Sequence, residues 1–171
     1  MAKPELSLIP AFYRTYVEAV ESEELIPALI NSGNLTVDLI KSIPEASGDY
    51  RYADGKWSIK EVLAHVIDAE RIFAYRALRF ARNDKTELVG FDENNYARES
   101  NAGSRRLYKI LEEFNNVRAS TIDLFASFND EMLNRTGVAN GQEMSVNALG
   151  FIIAGHETHH REVLNERYFQ K

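Results

Sequence analysis

Between Ser58 and Asn83, apolar residues return at helical spacing without interruption: Ile59, Val62, Val66, Ala69, Phe73, Ala77 and Phe80. A stripe of this period and length specifies an amphipathic helix with one face to bury. Its start is marked by Ser58-x-x-Glu61, a capping box in which serine and glutamate satisfy each other's orphan backbone N–H groups. Such a helix needs partners, and the chain offers three more segments of the same kind. One runs from about Ser22 to Ser42, with Leu25, Ile26, Leu29, Leu35, Leu39 and Ile40 on its buried face and Ile43-Pro44 as its stop. Pro27 is compatible with it only near the first turn, so the start shifts toward Leu25. Asn31-Ser32-Gly33-Asn34 is its weak point and predicts a kink. The next runs from Gly103-Ser104 to Ser127 and carries Leu107, Ile110, Leu111, Phe114, Val117, Ile122 and Phe125; lacking histidine, it reads as core and scaffolding. The last runs from about Ser145 to Tyr168 and contains Gly150 and Gly155, which point to close helix approach or room for a ligand. Four long helices with long connections imply an all-α protein: a single domain over residues 1–171, folded as an up-down four-helix bundle with crossover loops.

The histidines point to where this bundle does its chemistry. The chain has four, and three fall within Gly155-His156-Glu157-Thr158-His159-His160. His156 and His160 are four apart, hence neighbours on one helix face, and they continue the stripe of Val146, Leu149 and Ile153. A buried imidazole pair needs a partner, and a metal ion is the most economical one. The fourth histidine, His65, lies two turns into the Ser58 helix at the edge of its apolar stripe. His65, His156 and His160 are therefore the candidate ligands of one divalent metal. His159, turned ~100° from His160, falls on the flank. Asp68, three residues past His65, and Glu157 are candidate catalytic carboxylates, placed to orient an imidazole or move a proton.

The same residues spell H-E-x-x-H, a zinc-peptidase pattern. The extended form requires glycine at 163 and histidine at 166, where this chain has Val163 and Glu166. The alternative third ligand, a glutamate on a later helix, has no room, because the chain ends eleven residues after His160. Little strand signal is present to hold a peptide.

Composition narrows the remaining classes. The chain has no cysteine, which removes disulfides, thiolate catalysis and Cys-type metal sites, and fits a reducing cytoplasm. Its net charge of −6 disfavours nucleic acid. Met1-Ala2-Lys3-Pro4 opens no secretory signal, and no stretch approaches the ~20 apolar residues of a membrane span. The aromatic segment Pro10–Val17 reads as a strap on the bundle, and residues 84–103 as a long connection able to roof a site. Arg71, Arg76, Arg79 and Arg82 read as a solvated face complementing the helix C-terminus, with one of them free to reach a pocket.

Two stretches carry a family resemblance: Lys56-Trp57-Ser58-Ile59-Lys60-Glu61-Val62-Leu63-Ala64-His65 continuing through Asp68-Ala69-Glu70-Arg71, and Gly155 through His160. In them, and in the flavour of Arg76 through Arg82 and Gly90-Phe91-Asp92, the chain resembles the DinB-like (YfiT-like) superfamily of metal-dependent enzymes. The resemblance covers nearly the whole chain. It implies a four-helix bundle holding a divalent metal on three histidines, carried over onto His65, His156 and His160. It also implies activity as a metal-dependent hydrolase or a thiol-dependent S-transferase or isomerase. With no cysteine of its own, the chain borrows any thiol from a low-molecular-weight cofactor.

Three readings remain open at this level. A catalytic metal (zinc, nickel or iron, all suited to imidazole) acts on a small-molecule substrate through open coordination positions. A non-catalytic module uses the metal for stability or ligand binding. Core histidines bind no metal at all. A homodimer through a helix face is compatible with each.

Overall fold

The computed structural model describes residues 1–169. Four long helices form the bundle: α2 (Leu25–Ser42), α3 (Ile59–Ala81), α5 (Leu107–Ala126) and α7 (Val146–Val163). Shorter ones are α1 (Arg14–Glu18), α4 (Glu93–Glu99) and α6 (Asp130–Asn134). α7 packs on α2 and α3, and α5 packs on the same two helices from the other side, so α2 faces α3 across one diagonal and α5 faces α7 across the other. Among the described residues, no helix is long and apolar enough to cross a membrane.

The buried apolar side chains fall into two clusters, one at each end of the bundle. Leu25 and Leu29 of α2, Phe73 and Phe80 of α3, Phe125 of α5 and Leu149 and Phe151 of α7 belong to the first. Ile40 of α2, Ile59 and Leu63 of α3, Leu107, Ile110 and Phe114 of α5 and Leu164 after α7 belong to the second. The N-termini of α2 and α7 therefore lie at one end and those of α3 and α5 at the other. This corrects the simple up-down expectation: α3 and α5 run parallel, and the chain between them must climb back along the bundle.

That return segment is not the bare loop expected for residues 84–103. It contains α4, capped by the Asp92 side chain on Asn95 N–H at 3.0 Å, and a 3₁₀ turn at Ala102–Ser104. α5 accordingly begins at Leu107, whose N–H donates to both oxygens of Glu45 at 3.1 Å. The capping box at α3 forms as read: Ser58 Oγ accepts from Glu61 N–H at 3.2 Å, and Glu61 accepts from Ser58 N–H at 2.7 Å. Pro27 sits in the first turn of α2, where an N–H is not needed.

Two sequence expectations fail locally. α2 passes through Asn31–Asn34 as one continuous helix. Ser32 and Gly33 are buried there because α5 lies against them, and a Cβ on Gly33 would sit 3.0 Å from Arg118 Nη1. Small residues at this point make room for a neighbour and do not loosen the helix. The chain between α6 and α7, expected as a loop, folds into a hairpin of β1 (Thr136–Ala139) and β2 (Gln142–Ser145). Asn140 and Gly141 turn it with φ of 53° and 68°, the two positive values that a type I′ turn requires. Leu88 pairs with the hairpin through Leu88 N–H to Val138 O at 3.0 Å and Asn140 N–H to Leu88 O at 2.8 Å. The return segment is thereby pinned beside the upper half of α3.

The N-terminal strap is present, with α1 lying on α7. Gly155 explains how closely: a Cβ there would overlap the backbone carbonyl of Tyr16. Gly155→Ala is therefore expected to push α1 off α7 and to cost about 1–3 kcal/mol, the usual range for overpacking. Urea unfolding measures it, and an unchanged midpoint would show that the strap yields freely.

Candidate metal centre

His65 projects from the third position after Val62 on the buried face of α3, and His156 and His160 from successive turns of α7, the helix packed against it. Their side chains meet. His156 Nε2 lies 3.1 Å from His65 Nε2 and 3.2 Å from His160 Nε2, and the three residues present nitrogens all within 4.8 Å of one another. Hydrogen bonding alone satisfies this arrangement poorly. The Nε2 of a neutral imidazole either donates one proton or accepts with one lone pair, so His156 cannot serve two ring nitrogens well. A cation accepting three lone pairs can. Metal–nitrogen bonds of ~2.0–2.1 Å place neighbouring ligand nitrogens roughly 3 Å apart, as His156 is from each of the other two. The donor set fits a divalent metal.

The protonation states agree with that fit. Burial pulls His65 down to about 4, with Glu93 opposing, and pulls His160 down to about 3, helped by the positive fields of His65 and His159. His156 is pushed well below its ordinary value, first by burial and then by the other three histidines. All three are neutral near pH 7, the form in which imidazole binds a metal. In the metal-free protein these depressed values have a price in acid. Unfolded histidines take up protons below pH 6.5 while the folded ones refuse them until about 4 or lower. Stability is thus fully present above 6.5 and is expected to fall as the pH drops toward 4. Thermal melts in chelator across that range check this, and a flat profile would show that the imidazoles are not held neutral.

The histidines form the floor of a cavity of about 240 Å³, lined on its sides by Tyr13, Tyr16, Trp57, Phe73 and Phe91. Trp57 packs on His65 with centroids 4.8 Å apart and lies nearly parallel to His160 at 6.5 Å. His65 Nδ1 is buried with no partner among the described residues, so packing against Trp57 sets its orientation. Tyr16 meets His156 edge-on at 5.4 Å; burial, then Tyr13 and Glu93, raise its hydroxyl, which stays a proton donor at neutral pH. Glu93, exposed on α4, and Arg76, on α3, also line the cavity. His159 stands exposed on the rim beside Tyr16.

The two carboxylates singled out in the sequence lie elsewhere. Asp68 is half-buried on the α5 side of α3, 3.5 Å from Arg71. Burial raises its pKa, while Arg71 works in the opposite direction. Glu157, about 100° around α7 from His156, points into the bundle centre. It is 1% exposed and accepts hydrogen bonds from Arg118 Nη2 at 2.5 Å and Ser32 Oγ at 2.9 Å. Arg118 also grips Glu70 through Nε at 2.9 Å and Nη2 at 2.8 Å, and donates to Leu29 O at 2.7 Å. Burial presses this guanidinium toward its neutral form, but Glu157 and Glu70 outweigh burial and hold its pKa above the ordinary value. The network takes one residue or more from each bundle helix and separates the two apolar clusters. α5 thus contributes more than scaffolding.

Tyr16, Trp57 and Glu93 were not among the expected site residues, whereas Arg76 was one of four arginines of which one was free to reach a pocket. Arg76 carried a readable signal: eleven residues from His65 is three helical turns plus ~20°, so both project from one face. It is 3% exposed and lines the cavity, so it is the arginine of that face that reaches the pocket.

A sequence model described as the DinB superfamily matches residues 28–164. No curated protein matches the sequence. Among solved structures, YfiT from Bacillus subtilis, described as a probable metal-dependent hydrolase with an unusual four-helix bundle topology, superposes with a TM-score of 0.69 at 14% identity, over 98% of this chain and 94% of its own. A mycothiol-dependent maleylpyruvate isomerase superposes with a TM-score of 0.69 at 10% identity, over 94% of this chain; the match spans 62% of that longer protein. At these identities the likeness shows a shared fold.

Proposed function

This chain belongs to the DinB superfamily, and from that premise we propose that it is a metal-dependent enzyme acting on a small molecule, with His65, His156 and His160 as the metal ligands. The observation that carries the reading is the convergence of three neutral imidazoles at the floor of an aromatic cavity open to solvent at one side. Three protein ligands leave coordination positions free, as catalytic sites do and structural sites do not. A divalent ion bound there supplies Lewis acidity toward a substrate or an incoming nucleophile. Zinc, nickel and iron all suit an imidazole set.

The rest of the mechanism lies with the chain. Trp57, Phe73 and Phe91 exclude water and hold an apolar substrate body over the histidines. The Tyr16 hydroxyl, protonated at neutral pH, donates a hydrogen bond to oxygen developing negative charge in the cavity. Glu93, at the mouth, is the carboxylate best placed to take a proton from an entering nucleophile. Glu157 serves this site through position: clamped by Arg118, it fixes the rotation of α7 and hence the aim of His156. Arg71, beside Asp68 on its own helix and paired with Glu113 of α5 at 2.7 Å, braces α3 in the same way.

Hydrolysis, with water as nucleophile, is the first reading, and it accords with the description of YfiT. Thiol transfer is the second, favoured by the thiol dependence of the isomerase relative; with no cysteine, this chain would take its thiol from solution. Metal analysis of untagged protein, together with turnover of small esters and of thiol acceptors, tests the proposal. The expected result is about one equivalent of metal, absent in His156→Ala, and a turnover that chelation abolishes and added metal restores. Protein that takes up none of the three metals would overturn it. Metal that stabilises without any turnover to lose would assign a non-catalytic module.

A further inference from the structure

Arg76 is a buried cation with almost nothing to hold. Among the described residues its guanidinium makes a single hydrogen bond, from Nη2 to the Val89 carbonyl at 3.3 Å, and it enters none of the ion pairs. Arginine carries five N–H donors and does not lose its charge. The residue is only 3% exposed, yet its unpaired nitrogens are not among the buried polar atoms that lack a partner, so they open onto the cavity, where an anion can pair with them. The cavity wall is where Arg76 lies, on the same face of α3 as His65, with Ala69 and Phe73 between them. Its Cζ sits 5.7 Å from the centroid of the Phe73 ring, and that ring is 5.9 Å from His156. One aromatic ring therefore separates a fork of unused donors from the candidate metal ligands. Glu93, the one acid lining the cavity, is exposed at its mouth and leaves Arg76 unpaired.

The geometry points to Arg76 as the anchor for a carboxylate on the substrate: a small organic acid whose apolar body lies along Phe73 and Trp57 and whose reacting group reaches the histidines. This deepens the proposed enzyme and rests on that reading for the chemistry, though not for the binding. The planar guanidinium matches a carboxylate with two parallel hydrogen bonds. At about 240 Å³ the cavity is smaller than those that hold drug-sized ligands, and it fits a compact acid.

Trp57 is the only tryptophan and packs on two of the histidines, so its fluorescence reports occupancy. Zinc-loaded full-length protein is titrated with phenylacetate and with its neutral isostere phenylacetamide, beside Arg76→Met and Arg76→Lys. Phenylacetate is expected to bind about 10- to 100-fold more tightly than the amide. Arg76→Met should erase that preference with zinc content and amide affinity unchanged, and Arg76→Lys should keep part of it. The preference should persist in metal-free protein. Equal affinity for the two probes, or no saturable signal with either, overturns the assignment. So does a preference that survives Arg76→Met and vanishes with the metal, because the carboxylate would then be reading the ion. If the protein binds no zinc yet prefers phenylacetate through Arg76, the metal reading falls and the anchor stands.

Discussion

Arg118→Met is expected to destabilise the protein by about 3–5 kcal/mol, the cost of breaking a buried ion pair from one side. The guanidinium holds Glu70 and Glu157, both almost wholly buried, and fills donors toward Ser32 and Leu29. Methionine matches much of the volume, so the loss comes from two carboxylates left in a low-dielectric layer with one hydroxyl between them. Urea unfolding of both proteins at neutral pH reads the difference. Adding Glu157→Gln to the variant should return part of the stability by removing one of the orphaned charges. A loss below 1 kcal/mol would mean that water reaches the network.

His65→Ala is expected to weaken metal binding more than about 100-fold, beyond the 10- to 100-fold typical of losing a mere supporting contact to a ligand. His156 and His160 remain as an i, i+4 pair on one helix, but α3 no longer contributes. At a free metal concentration a thousandfold above the parent's Kd, binding stabilises the parent by about 4 kcal/mol. With Kd raised 100-fold, the same metal stabilises the variant by only about 1.4 kcal/mol. The thermal shift on adding zinc should contract accordingly. Equal shifts in the two proteins would remove His65 from the site.

Much of this was legible before any coordinates. Long amphipathic stretches announce themselves by period, so α2, α3, α5 and α7 were found to within a few residues, and Ser58 and Glu61 marked the α3 start to the residue. The i, i+4 pair on the buried face of α7 pointed to His156 and His160, and His65 was the one histidine able to join them from a different helix. What escaped was short or long-range. The hairpin is four residues a side, too brief for alternation to show, and only Asn140-Gly141 signalled it. The parallel run of α3 and α5 is a property of connections, on which periodicity is silent. Arg118 lies in the stripe of Ile110, Phe114, Thr121 and Phe125, where a charge is out of place; that anomaly was the available sign of the central network. Glu157 stands off the cavity because a carboxylate one residue after His156 is turned about 100° round the helix.

The bridge between Leu88 and the hairpin has a bearing on how this scaffold diversifies. The histidines stand on helices packed within the bundle, whereas Gly90, Phe91, Glu93 and Asn140 come from segments appended outside that frame. Inheritance can therefore act on the two separately. Lengthening or rewriting the appended segments changes which molecules the cavity admits and leaves the histidines where they are, so the walls of the cavity can diverge while its floor is kept.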